Sequence, residues 1–83
     1  MYDVIFSKKF EQQLKKLEKG LQQRITSGIE RTRIRPHSYF QRLVGMETYR
    51  LRIGDYRIIA DLDGEKLVIL VLEVGHRKNV YKN

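Results

Sequence analysis

Tyr49-Arg50-Leu51-Arg52-Ile53-Gly54-Asp55-Tyr56-Arg57-Ile58-Ile59-Ala60-Asp61-Leu62 decides the fold. Strand side chains point alternately to the two faces of a sheet, and Gly54-Asp55 has the composition of a two-residue hairpin turn. The stretch therefore predicts a β-hairpin of residues 48–53 and 56–62. A two-residue loop also sets the pairing: Ile53 opposite Tyr56, Arg52 opposite Arg57, Leu51 opposite Ile58 and Arg50 opposite Ile59. Asp63-Gly64 reads as a second such turn into a strand over residues 66–74, with Asp61 opposite Lys66, Ile59 opposite Val68 and Arg57 opposite Leu70. One face of this meander then holds Tyr49, Leu51, Ile53, Tyr56, Ile58, Ala60, Leu62, Leu67, Ile69 and Val71, and needs a cover. The other holds Arg50, Arg52, Arg57, Asp61 and Lys66 beside Ile59, Val68, Leu70 and Leu72.

The N-terminal half supplies the cover. Residues 2–6 form a short β-prone run, and Ser7 is a natural N-cap. Phe10, Leu14, Leu17 and Leu21 recur at helical spacing, and the stripe resumes with Ile25 and Ile29. Gly20 predicts a turn between two helices, and Pro36 ends the second by Arg35. Residues 39–44 form a weaker strand candidate, interrupted by Gly45. The order is strand, helical hairpin, then strands. That is an α+β domain over residues 1–83, an antiparallel meander with both helices on one face.

Composition narrows the function. Lys and Arg number 17 against 10 Asp and Glu, a formal charge of +7 on 83 residues. Such an excess favours polyanionic partners: RNA, DNA or an acidic protein. Residues 20–42 carry Arg24, Arg31, Arg33, Arg35 and Arg42 against the single acid Glu30, and the guanidinium fork matches phosphate geometry. The absence of cysteine excludes disulfides, thiolate metal sites and a cysteine nucleophile, and His37 and His76 are too far apart to suggest a metal site. The longest apolar run, residues 67–72, falls far short of the roughly 20 a membrane span needs. With no apolar segment at the N-terminus, a cytoplasmic protein without a membrane partner is expected.

Arg52 opposite Arg57 is the feature that asks for an explanation. Like charges facing across a strand pair repel. At about 5 Å the repulsion is roughly 1 kcal/mol in water and about 3 kcal/mol at an effective dielectric near 20. Arg50 on the same face adds to it. Two readings stand: side chains splayed into solvent with their stems over Ile59 and Leu70, or a cationic pocket for a phosphate. The end of the last strand lies beside the Gly54-Asp55 turn, so Gly75 is expected to bend the chain there and bring His76, Arg77 and Tyr81 toward the sheet arginines.

At this point the chain resembles the RelE/ParE superfamily of toxin–antitoxin toxins, and within it the RelE-type mRNA-cleaving branch. The resemblance rests on an ordered set: Leu43-Val44-Gly45-Met46, then Tyr49-Arg50-Leu51-Arg52-Ile53, Gly54-Asp55-Tyr56-Arg57-Ile58-Ile59, and Gly75-His76-Arg77 before Tyr81. It implies a ribosome-dependent endoribonuclease acting without metal or other cofactor, in which a ribose 2′-hydroxyl attacks the adjacent phosphate. By position, Arg50 and Arg52 match basic strand residues that bind the substrate backbone or assist deprotonation. Arg57 matches an arginine that holds the scissile phosphate, and Arg77 one that stabilises the transition state or delivers the leaving-group proton. Tyr81 matches an aromatic that stacks on a base. The best-known relatives have lysine at the positions of Arg50 and Arg52. Arginine, with a pKa above about 12, is a poor general base, and His76 is the alternative acid–base group.

Lys8, Lys15, Arg42 and Lys78 complete the expected RNA-binding set. The resemblance also implies a small acidic or amphipathic cognate antitoxin, contact with the ribosome and mRNA, and operator DNA bound only through the antitoxin. Residues 66–74 and the helix from Ser7 are the expected docking surfaces. A different class stays open: a non-catalytic binder on the same scaffold, like the superfamily members that poison DNA gyrase, or a plain nucleic-acid-binding module.

Overall fold

Ser7 is where strand gives way to helix. In the computed structural model, which describes residues 1–45 and 48–76, β1 (Asp3–Phe6) ends there in extended backbone. The Ser7 hydroxyl accepts from the Phe10 N–H at 3.0 Å, capping α1 (Lys8–Lys15), and donates to the Leu72 carbonyl at 2.7 Å. One side chain thus starts the helix and ties it to the sheet. The break to α2 (Lys19–Arg31) falls at residues 16–18, earlier than Gly20 suggests, and Gly20 lies in the first turn of α2. The Gln22 amide donates to the Leu17 carbonyl at 2.7 Å and closes that corner, so the break does not need glycine.

α2 ends at Arg31, four residues before Arg35, and a 3₁₀ turn occupies Pro36–Ser38. Arg33 holds this end of the helix to the N-terminus. Its Nε donates to the Tyr2 carbonyl at 2.7 Å, its Nη1 meets Glu30 at 2.9 Å, and its carbonyl accepts from the Tyr2 N–H at 2.9 Å.

The sheet has five strands in the order β1-β5-β4-β3-β2, with β2 (Gln41–Arg42), β3 (Tyr49–Ile53), β4 (Tyr56–Asp63) and β5 (Val68–His76). The expected α+β arrangement is present, with two differences in the sheet. β2 is only two residues long, and β1 lies parallel to β5, so the sheet is mixed rather than antiparallel throughout. The β3–β4 register is the expected one: Arg52 opposite Arg57, Leu51 opposite Ile58 and Arg50 opposite Ile59.

The β4–β5 register is not. Asp63 pairs with Val68, because the connection is four residues rather than two. The Asp63 carboxylate accepts from the Glu65 and Lys66 N–H groups, each at 3.0 Å, and so builds a longer turn from its own side chain. Leu67 closes it with φ +55° and remains half exposed instead of joining the core. Further along, partners shift from Ala60–Val71 to Ile59–Glu73, a β-bulge that leaves Leu72 over and frees the carbonyl that Ser7 holds. Past the bulge, inward and outward positions exchange: Val74 enters the core, and Glu73 faces Ile59. Phe10, Ile25 and Ile29 of the helices pack on Leu51, Ile58, Ala60, Ile69, Val71 and Val74. Gly28 lets α2 approach β3, since a Cβ there would stand 2.5 Å from Ile53 Cδ1.

Candidate functional site

Strand alternation leaves Arg50, Arg52 and Arg57 on the sheet face away from the helices. All three line one open cleft of about 540 Å³, whose other wall comes from Ser38, Tyr39 and Gln41. Gln41 is opposite Arg50 across the short β2–β3 pair, and its Oε1 accepts from Arg50 Nη2 at 3.0 Å. That bond sets one guanidinium in the wall of the cleft. Arg57 is half buried and faces Gly75, which has no side chain to crowd it. Tyr39, 48% exposed, presents an aromatic ring at the rim.

Among the described residues no carboxylate lines this cleft. Asp61 shares the outer face with Arg50, two residues along β4 from its partner Ile59, and lines another cleft with Asp63 and Glu65 at the far end of β4. From Arg57 to Asp63 the strand rises about 20 Å, so β4 is basic at one end and acidic at the other. The arrangement can hold a phosphodiester: guanidinium forks for the non-bridging oxygens, a neutral amide and a ring beside them.

The remaining candidates lie elsewhere. His76 pairs with Tyr56 rather than approaching the arginines, and the rings stand edge-on at 5.5 Å between centroids and 76° between planes. The bulge is the cause, because it turns His76 to the Tyr56 and Ile58 side of the sheet. Gly75 lies within β5 and makes no bend. Arg42 pairs with Tyr49 and so points away from Arg50. Lys8 and Lys15 flank a groove over Phe6 and Leu14 on α1, on the helical side of the sheet. Arg77, Lys78 and Tyr81 lie outside the described residues.

Tyr39 and Gln41 are the site residues that the sequence pattern missed. Read as a strand over residues 39–44, the segment had no turn to set its register. The 3₁₀ turn at Pro36–Ser38 is what carries Tyr39 to the cleft, and a proline so placed was the available signal.

A family model described as the ParE toxin of the parDE type II toxin–antitoxin system matches residues 4–81. Among solved structures the chain is similar to the toxin–antitoxin complex RelBE2 of Mycobacterium tuberculosis, at 24% identity and TM-score 0.82, covering 92% of this chain and 98% of that one. It is similar to the archaeal RelE–RelB complex of Pyrococcus horikoshii at 26% identity and TM-score 0.79, over 95% and 98% of the two chains. For the RelB–RelE complex of Methanococcus jannaschii the figures are 27% identity, TM-score 0.72, and 94% and 95% coverage. Among curated proteins none matches significantly.

Proposed function

The chain belongs to the ParE toxin family of type II toxin–antitoxin systems, and from that premise we propose that it is an endoribonuclease that cuts messenger RNA on the ribosome. The observation that carries the reading is the convergence of Arg50, Arg52 and Arg57 in one cleft lined by no carboxylate among the described residues. In the proposed reaction a ribose 2′-hydroxyl gives up its proton to solvent as its oxygen bonds to the adjacent phosphorus, and the bond from phosphorus to the 5′-oxygen breaks. The products are a 2′,3′-cyclic phosphate and a 5′-hydroxyl. Charge builds on the non-bridging oxygens on the way, and fixed guanidiniums beside them stabilise that state more than the ground state. Arg57 holds the scissile phosphate, Arg50 and Arg52 bind the flanking backbone, and Arg77 protonates the leaving oxygen. Tyr81 stacks on a base.

His76 would have to leave Tyr56 to act as general base. Tyr39, at the rim, is a second aromatic available to a base of the substrate. A RelB-type antitoxin, the partner in the similar complexes, would restrain the free toxin by covering the cationic cleft.

Reporter mRNA in a reconstituted translation system, read by primer extension, tests the proposal. Wild type should break the message inside codons only when ribosomes are present, and Arg57→Ala or Arg77→Ala should lower the rate at least about 100-fold, as expected for loss of one transition-state donor. The ParE description of the matching family favours a second reading, a non-catalytic binder of DNA gyrase. Arrest without breaks, or breaks that neither substitution affects, would move the assignment there, with gyrase supercoiling assayed next.

A further inference from the structure

A second basic cleft, of about 450 Å³, runs between α2 and the end of β3. Arg24 and Arg31 line it from the helix and Arg52 from the strand, with Ser27 between them and Gly20 and Gly28 as its low floor. Gly20, Arg24, Ser27, Gly28 and Arg31 fall at spacings of three and four, so they form one stripe on α2. Arg24 extends off that stripe over the hairpin turn, with Nη2 3.3 Å from where a Gly54 Cβ would stand.

The three guanidiniums are uncommitted. Arg24, Arg31 and Arg52 make no hydrogen bond or ion pair with any described residue. Arg33, just beyond the end of the same helix, is held by Glu30, Asp3 and the Tyr2 carbonyl. A solvated helix face is the ordinary explanation for exposed arginines, but it leaves unexplained why no carboxylate among the described residues lines this cleft while Glu30 is engaged with Arg33. Arg52 lines both this cleft and the one that holds Arg50 and Arg57, and belongs to the part of β3 beyond Tyr49 and Arg50, the residues that pair with β2.

We infer that the α2–β3 cleft is a second phosphate-binding site, in which Arg24 and Arg31 hold backbone phosphates of the single RNA strand whose neighbouring phosphate lies at Arg57. The choice of an RNA strand rests on the cleavage reading above; the anion site itself rests on the cleft. Shape and charge at this cleft suit a backbone rather than a base edge, so the contacts add affinity and fix the path of the strand without reading its sequence.

The test is equilibrium binding of a fluorescent 12-nucleotide 2′-O-methyl oligoribonucleotide, a length on the order of that covered by single-strand sites. It keeps every phosphate and lacks the attacking hydroxyl. Binding of the full chain is measured by anisotropy at several salt concentrations, for wild type, R24A/R31A and R24K/R31K. Each phosphate contact contributes about −0.7 to the slope of log K against log salt for a single strand. The alanine pair should therefore flatten the slope by about 1.4 and weaken binding at least about tenfold at low salt, and the lysine pair should keep most of the slope. Alanine is a good helix former, and circular dichroism confirms that each variant is folded. An unchanged slope and affinity in R24A/R31A overturns the inference, even where wild type cuts mRNA. A flattened slope in a protein that cuts nothing keeps the second site and retires the nuclease.

Discussion

Arg52 and Arg57 stand directly opposite each other on adjacent strands, one exposed and the other half buried. With Cβ atoms about 5 Å apart in such a pair, the two charges oppose folding, and the exposure of Arg52 keeps the cost near the aqueous limit of roughly 1 kcal/mol. A fold under no other demand would place a neutral or acidic partner at one of the two positions. Arg52→Gln is therefore expected to stabilise the protein by about 0.5–1 kcal/mol in urea unfolding at low salt. The gain should shrink as salt screens the pair in wild type. The same substitution should weaken RNA binding, since Arg52 lines both basic clefts. A destabilised Arg52→Gln would mean instead that the guanidinium stem contributes more by covering the sheet than its charge costs.

Of the two helices, α1 meets the sheet more extensively, where it crosses β5. β1 covers β5 only from Val68 to Val71, and beyond it the Val74 N–H donates to Gln13 Oε1 at 2.8 Å. Val74 is buried, so its amide has no easy recourse to water. Gln13→Ala should cost about 1–2 kcal/mol for the orphaned donor and speed hydrogen exchange at the Val74 amide about tenfold or more; unchanged exchange would show that the strand finds another acceptor. The same region shows which parts of the architecture were legible. The Gly54-Asp55 hairpin was, because two short strands and a tight turn leave a single register, and the three-arginine face followed from alternation alone. The Asp63-Gly64 turn was not, because the Asp63 side chain could build a four-residue loop as readily as a two-residue one. Nor was the bulge, whose extra residue Leu72 offers its carbonyl to Ser7, 65 residues away. That single extra residue carried His76 to the Tyr56 side of the sheet.

Across the whole molecule the sheet divides two tasks between its faces. The helical face holds the apolar core, with Ile58 fully enclosed by residues of α1, α2 and β5. The opposite face carries Arg50, Arg52 and Arg57, one residue out of phase with the core positions. Ile58 and Arg57 are thus chain neighbours with their side chains on opposite sides of the same strand. Ile58→Ala should cost about 2–5 kcal/mol, a large share of the total of about 4–12 kcal/mol typical for a domain of 83 residues. Arg57→Ala removes no core contact. Circular dichroism melts and the translation assay, run on the two variants side by side, should therefore separate them. Ile58→Ala should melt well below wild type yet cut mRNA at near wild-type rate per folded molecule at low temperature, and Arg57→Ala should melt within a few degrees of wild type and cut little. If both variants lost stability and activity together, the arginine face would be part of what holds the sheet, and its charge could not be assigned to RNA alone.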